Sequence, residues 1–321
     1  MEPVVDNIAV TGRRVLVTGS GGFLGSHVVE QLHDVADVHA VTRETCDLRD
    51  AAAVRSLLDE VHPQIVIHLA AAQGGVAWQK ANQATAYLDN AAMMDALVMA
   101  SLETGVERFL FAASSICYPR EASIPFREET LWDGPPDEAH WGYANAKRGG
   151  IALLQAAHEQ HGLSAAVVLP ANMYGPRARF EPDRSNVVAA TIRRCQEAVE
   201  AGVDEITCWG SGTPVREFLY VEDAAAGIIR AAERLATPAP VNLGTGVETT
   251  IAELVETVAA AVGFRGAIRW DTERPDGAPR VCMDVDRMHR LLDWTPVTTL
   301  ADGLGRTIEW WSSAREQESR S

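Results

Sequence analysis

The stretch that most constrains this chain is Arg14-Val15-Leu16-Val17-Thr18-Gly19-Ser20-Gly21-Gly22-Phe23-Leu24-Gly25. Arg14 to Val17, apolar after its first residue and rich in β-branched side chains, reads as a buried strand. Glycines follow at 19, 22 and 25, and Ser26 to Leu32 continues with helical apolar spacing. A strand that enters a glycine turn and opens a helix makes a phosphate cradle. Glycine lets the backbone turn sharply and approach an anion, which the free N–H groups and dipole of the new helix attract. The GxxGxxG spacing differs from the commoner GxGxxG by one residue in its first interval, but it sits in the strand–turn–helix setting that a dinucleotide site requires. Gly19, Gly22, Phe23, Leu24 and Gly25 are therefore expected to line a cofactor.

Val38 to Val41 reads as a second strand, ending at Thr42-Arg43-Glu44. At that position an acid usually takes the ribose hydroxyls and an arginine accommodates a 2′-phosphate. Arg43 beside Glu44 favours NADP, with NAD the alternative, and Asp47 and Leu48 fall where side chains reach the adenine. A helix over 51–61 precedes a third strand, Ile65 to Leu69. The small residues Ala70 and Ala71 after Leu69 suit close approach to the cofactor. Then come a long helix over 85–103, a buried strand over 109–113, a Pro- and Glu-rich loop over 120–141, a helix from Tyr143 to about His161 and a strand over 165–169. Such alternation predicts an α/β fold with a doubly wound parallel sheet. The polar end, 312–321, is expected to fray.

Charge and cysteine content exclude several partners. The formal net charge of −16 argues against nucleic acid or an anionic membrane surface. Five cysteines, at 46, 117, 195, 208 and 282, are odd in number and contain no CxxC pair, so neither a disulfide framework nor a metal site is expected. The first six residues lack the basic and apolar segments of a signal peptide, and no apolar run approaches membrane-spanning length. A cytoplasmic location is expected.

The chemistry concentrates at Ser114, Tyr143 and Lys147. Tyr143 and Lys147 are four apart and share a helix face. A free phenol, with a pKa near 10, is a poor acid or base at neutral pH. A neighbouring ammonium and an oxidised nicotinamide are expected to lower it, making a proton donor and acceptor for a hydroxyl/carbonyl couple. Ser114, at the mouth of the preceding strand, can hold the same oxygen.

With these residues in place, the chain resembles the extended short-chain dehydrogenase/reductase superfamily and its NAD-dependent epimerase/dehydratases, most of all the GDP-4-keto-6-deoxymannose epimerase-reductases. The likeness spans roughly 14–311. It includes Gly74-Gly75, the Ser-Ser…Tyr-Pro segment at 114–119, Leu169-Pro170-Ala171-Asn172-Met173-Tyr174-Gly175-Pro176, Trp209-Gly210-Ser211-Gly212-Thr213-Pro214-Val215-Arg216-Glu217-Phe218-Leu219, Asn242-Leu243-Gly244-Thr245-Gly246 and Pro275-Asp276-Gly277-Ala278-Pro279-Arg280. The resemblance implies a Rossmann-like dinucleotide domain over 1–170 and 216–245, with a smaller substrate lobe over 171–215 and 246–321. It makes Ser114, Tyr143 and Lys147 the reductase triad and puts Pro170 and Asn172 at the cofactor. Ser115, Cys117, Asn172, Asn186, Arg194, Trp209, Arg216 and Arg280 fall around a nucleotide-sugar, where an arginine fork pairs with diphosphate oxygens. It also suggests a homodimer through the 85–105 and 143–161 helices, with Ala91, Met94, Leu97 and Val98 as a compatible face.

Two departures from the family pattern are informative. The family reads Ser-Ser-Cys-Ile-Tyr-Pro and uses that cysteine in epimerisation; here the order is Ser-Ser-Ile-Cys-Tyr-Pro. Ile116 takes the catalytic place, and Cys117 is expected to point the other way along an extended segment unless a bulge turns it inward. The family's partner histidine is replaced by Asn186, whose amide cannot shuttle a proton at neutral pH. Related dehydratases carry a glutamate in the Ile116 slot, so dehydration is not favoured either. The expected activity is NADPH-dependent C4 keto-reduction of a GDP-4-keto-6-deoxyhexose. The alternatives are a C4 epimerase holding NAD tightly, a full 3,5-epimerase-reductase if Cys117 is catalytic, and a dinucleotide-binding sensor without turnover.

Overall fold

A computed structural model describes residues 4–182 and 184–318. The first half of the chain alternates strand and helix: β1 (Arg14–Thr18), α1 (Phe23–Leu32), β2 (Asp37–Val41), α2 (Ala51–Val61), β3 (Ile65–His68), α3 (Val76–Ala81), α4 (Gln83–Thr104), β4 (Arg108–Ala112), α5 (Trp141–His161) and β5 (Ala165–Pro170). Then follow β6 (Asn172–Tyr174), α6 (Val187–Ala201), β7 (Glu205–Trp209), β8 (Val215–Arg216), β9 (Phe218–Tyr220), α7 (Val221–Arg234), β10 (Pro240–Leu243), β11 (Thr249–Thr250), α8 (Ile251–Val262), β12 (Ala267–Asp271), α9 (Asp286–Leu292) and α10 (Leu300–Glu318). β10, β5, β4, β3, β1 and β2 form a six-stranded sheet in that order, every neighbouring pair parallel. β3, β4, β5 and β10 are buried throughout, as parallel strands covered by helices on both faces must be.

Strand order reverses at β1, with β2 on one side and β3 on the other. Such a switch point leaves a crevice at the C-terminal strand ends, where ligands enter α/β sheets. The turn after β1 closes onto the end of β3. Gly19 has φ +68°, and a Cβ there would lie 2.8 Å from the Ala70 nitrogen. A Cβ on Gly25 would collide with the Gly19 carbonyl oxygen. Thr18 staples the same strand ends from inside: its Oγ1 accepts from the N–H groups of Leu69 and Ala70, both at 3.2 Å, and shares a 2.8 Å hydrogen bond with His68 Nδ1.

A second core forms around Tyr174, Phe180, Ile192, Val258 and Trp311, from α6, α8, α10 and the short paired strands. Thr250 and Glu253 close a capping box on α8. Packing departs from the expected boundaries at two places. β8 and β9 pair with β11 and β6 of the second lobe, while α9, through Met288 and Leu292, packs into the first core. β9 serves both cores because strand side chains alternate: Phe218 and Tyr220 face the second and Leu219 the first.

Two further expectations are corrected. The tail does not fray at Ser312: α10 continues to Glu318, held by the Arg315–Glu200 ion pair and by Arg315 over the Trp311 ring, while 319–321 lie outside the described residues. Met94, Leu97 and Val98 of α4 face the chain's own sheet. The exposed stripe is instead Leu88, Asp95 and Met99, because the side of a 3.6-residue helix facing away from its sheet lies roughly half a turn round from these buried positions. Among the described residues no helix is long and apolar enough to cross a membrane.

Candidate active site

The glycine turn is built to receive an anion. α1 begins at Gly22 with no side-chain cap and no acidic residue in its first turn, so its N–H groups and dipole are open. Inside the turn, Ser20 Oγ is buried with no hydrogen-bond partner among the described residues. An orphaned hydroxyl beside an uncapped helix end, in a cradle that side chains would fill, fits a dinucleotide pyrophosphate. Phe23, Leu24, Leu69, Ala70 and Ala71 are half-buried around it. Arg43 is exposed at the end of β2 and Leu48 is buried behind it. Asp47 is engaged by Arg49 at 2.7 Å, whose hydrogen bonds hold its carboxyl well below the usual range. Arg49 also reaches Asp89 on α4.

At the other end of the crevice, β4 runs into Ser114, whose Oγ accepts weakly from the Ile116 N–H at 3.4 Å. The segment that follows is not extended, as the sequence suggested, but a short 3-10 turn over Ser115–Cys117. It is closed by Cys117 N–H to the Ser114 carbonyl at 3.0 Å and Tyr118 N–H to the Ser115 carbonyl at 3.1 Å. Coiling turns Cys117 inward against α5, where its Sγ lies 3.9 Å from the Ala144 carbonyl. Its side chain is fully buried, and burial pushes the thiol up to about 11. Cys117 therefore has no surface open to a substrate, whereas Ser115 and Ile116 are half-buried.

α5 carries Tyr143 and Lys147 into the protein beneath this turn, both buried. Lys147 Nζ donates to the Ala112 carbonyl at 2.9 Å and lies over the rings of Phe111 and Tyr143, 4.6 and 5.7 Å from their centroids. Burial holds the ammonium down to about 8. In the chain alone, burial drives Tyr143 upward, opposite in direction to the effect expected of the ammonium and an oxidised nicotinamide together. The cost of burying a phenolate is the largest influence on this group.

The substrate-side residues separate into two groups. Trp209, 66 % exposed, and Arg216 line a cavity of about 200 Å³ with Val187, Pro214, Ile251 and Asp276. Arg216 is fixed by its own donation to the Ala278 carbonyl at 2.6 Å, and Arg274 stacks on the Trp209 ring. Arg194 points towards β7, with one guanidinium nitrogen 3.5 Å from Cys208 Sγ. Asn186 and Arg280 are engaged by other segments. Asn186 caps α6 by accepting from Ala189 N–H and donates to the Met173 carbonyl. Arg280 is paired with Glu248. Pro170 is buried at the end of β5, and Asn172 is exposed on β6. A larger hollow of about 390 Å³ under the 119–136 loop contains none of Ser114, Tyr143 or Arg216.

Several positioning residues escaped the sequence reading. Glu217, buried beside Arg216, accepts from Gly246 and Met283 N–H groups, both at 2.8 Å, and from Thr245 N–H, joining the two lobes. Tyr118 donates to Asn242 Oδ1 at 2.7 Å, anchoring the Ser115–Cys117 turn to β10. Asn90 brackets Ala72 by accepting from its N–H and donating to its carbonyl. An acid just before the apolar run 218–221 was a visible signal for Glu217; Tyr118, Asn90 and Asn242 find their partners on distant segments, which local sequence does not show.

A parallel sheet with a glycine cradle at its switch point and a buried Tyr–Lys pair at the adjoining strand end defines a nucleotide-dependent oxidoreductase fold. The chain belongs to the NAD dependent epimerase/dehydratase family, whose model matches residues 15–244. It is 36 % identical to GDP-L-fucose synthase 1 of Arabidopsis thaliana over 309 residues, covering 96 % of this chain and 95 % of that one. It is also 36 % identical to the GDP-L-fucose synthase of Escherichia coli over 310 residues, covering 93 % and 96 %. The crystal structure of a GDP-L-fucose synthetase from Naegleria fowleri bound to NADP superposes with a TM-score of 0.90 at 26 % identity, covering 98 % of each chain.

Proposed function

We propose that this chain reduces the C4 ketone of a GDP-4-keto-6-deoxyhexose, leaving C3 and C5 as they arrive. The observation that carries the reading is the buried Tyr143–Lys147 pair set beneath the Ser114 turn, in a chain with relatives named GDP-L-fucose synthase. NADPH, held on the open end of α1 with Arg43 near its 2′-phosphate, supplies the hydride when bound. Tyr143 gives its proton to the oxygen that becomes the C4 hydroxyl. Ser114 holds that oxygen, and Lys147 orients the phenol and carries the replacement proton. Arg216 and Trp209 face the nucleotide diphosphate. Retention at C3 and C5 follows from the sealed Cys117, the apolar Ile116 and the capped Asn186, which leave those three positions without an acid/base group.

The test is incubation with GDP-4-keto-6-deoxymannose and NADPH in heavy water. Loss of reduced-nicotinamide absorbance with no deuterium at C3 or C5 is expected. No oxidation overturns the reading, deuterium at either carbon restores epimerisation, and NAD retained without net redox change indicates a C4 epimerase. We further place the enzyme in the cytoplasm, where five buried free thiols stay reduced. It is proposed to act as a homodimer through the exposed α4 stripe and the small residues Gly149, Ala152 and Ala156 of α5.

A further inference from the structure

Two consecutive residues of α5 grip the backbone on either side of Ser114. Lys147 donates to Ala112, two residues before it. Arg148 Nε donates to the Cys117 carbonyl, three residues after it, at 2.7 Å. Its two remaining nitrogens reach the carbonyls of Gly134 at 2.9 Å and Leu131 at 2.8 Å. The Trp132 ring covers the guanidinium from 5.7 Å. Arg148 is itself buried. A buried cation is expensive, and an aliphatic residue would fill the volume without that cost. Arginine alone among the side chains spreads donors over a rigid planar fork that three separate carbonyls can share.

From this we infer that Arg148 is a positioning residue for the Ser114 hydroxyl: it clamps the C-terminal end of the 3-10 turn to the helix that carries Tyr143 and Lys147. The turn needs such a clamp because Ser114 is otherwise loosely held. Among the described residues its side chain makes only the long contact to Ile116 N–H, and two backbone hydrogen bonds close the turn. With Lys147 fixing the strand side and Arg148 the turn side, the distance from Ser114 to Tyr143 is set by one rigid helix. A small displacement of such a donor from the reacting oxygen is costly in rate. The inference rests on the reading of Ser114, Tyr143 and Lys147 as the catalytic groups.

The test compares Arg148→Met and Arg148→Lys, each in the natural chain and in a Ser114→Ala background. Turnover of GDP-4-keto-6-deoxymannose with NADPH is followed. Arg148→Met is expected to lower kcat by about tenfold or more, with KM for NADPH within about twofold, because the glycine cradle is remote from the clamp. Arg148→Lys, which keeps the charge and one donor, is expected to fall between and to remain folded if the methionine variant does not. In the Ser114→Ala background the same changes should cost less than about twofold more, since a residue acting through Ser114 has nothing left to position. Equal losses in both backgrounds, or a natural kcat in Arg148→Met, overturn the inference. Hydrogen exchange gives a readout independent of turnover. The Cys117 and Tyr118 amides should exchange about tenfold faster in Arg148→Lys while the β1 amides are unchanged. Unchanged exchange at 117–118 overturns the clamp even in a chain that proves inert towards the keto-sugar, whereas inertness with faster exchange removes only the catalytic reading.

Discussion

The ammonium of Lys147 donates to the carbonyl oxygen of Ala112 at 2.9 Å, a contact buried between α5 and the end of β4. It locks the helix carrying the phenol to the strand carrying Ser114, at the cost of burying a charge. The same burial holds the Lys147 ammonium down to about 8.

Stability should therefore rise with pH where Lys147 titrates. Between about pH 8 and the unfolded lysine value near 10.4, the unfolded chain binds the extra proton and the folded chain does not. Denaturant unfolding of the natural chain, referred to Lys147→Met, is expected to gain about 2 kcal/mol between pH 8 and pH 10, and to be flat below pH 7. A flat difference across the whole range would mean that Lys147 keeps its ordinary affinity for the proton.

Removing the phenolic oxygen of Tyr143 removes the proposed proton donor while leaving the ring in place. Tyr143→Phe is expected to lower kcat by roughly 10²- to 10⁴-fold, the range of general acid catalysis. NADPH affinity, measured by fluorescence titration, should change by less than about twofold.

Two glycines with similar left-handed backbones separate strain from crowding. Gly105 has φ +74° with nothing near its missing Cβ, whereas Gly19, at φ +68°, abuts Ala70. Gly105→Ala should cost about 1 kcal/mol from backbone strain alone. Gly19→Ala should cost about 2 to 4 kcal/mol, because overpacking is added, and should weaken NADPH binding as well. Equal costs in urea unfolding would show that the turn yields at Ala70.

Arg43 is assigned to the 2′-phosphate. Arg43→Ser is expected to reduce the preference for NADPH over NADH by about tenfold or more, the loss of one charge-assisted phosphate contact. The ratio of kcat/KM for the two cofactors measures it.

The α4 stripe predicts an assembly mutant. Leu88, 64 % exposed, and Met99, 55 % exposed, flank Asp95, whose carboxyl is pushed up by partial burial. Leu88→Arg with Met99→Arg should shift light-scattering mass from dimer to monomer, because like charges would face each other across a two-fold axis.

The sheet was legible because its strands are short, mostly apolar, rich in β-branched residues and separated by turn residues, too short for helices. The glycine turn was legible for the same local reason. The fate of Cys117 was not: Ser-Ser-Ile-Cys-Tyr-Pro is compatible with an extended segment, and the 3-10 turn that buries the thiol is held by α5, some thirty residues on. Arg280 and Asn186 looked like substrate ligands by their place in the chain, yet their partners, Glu248 and Met173, are brought by other segments. On α4 the apolar positions run almost all round the helix, so its pattern could not say which side met the sheet.

The amino-acid order alone determined the strand–helix alternation, the phosphate-accepting turn and the four-residue spacing of Tyr143 and Lys147, because each is a local property of backbone geometry and side-chain period. Only the tertiary structure decided which polar groups remain available to a ligand. Availability is set by pairing between distant segments, and by burial that raises Tyr143, lowers Lys147 and seals Cys117.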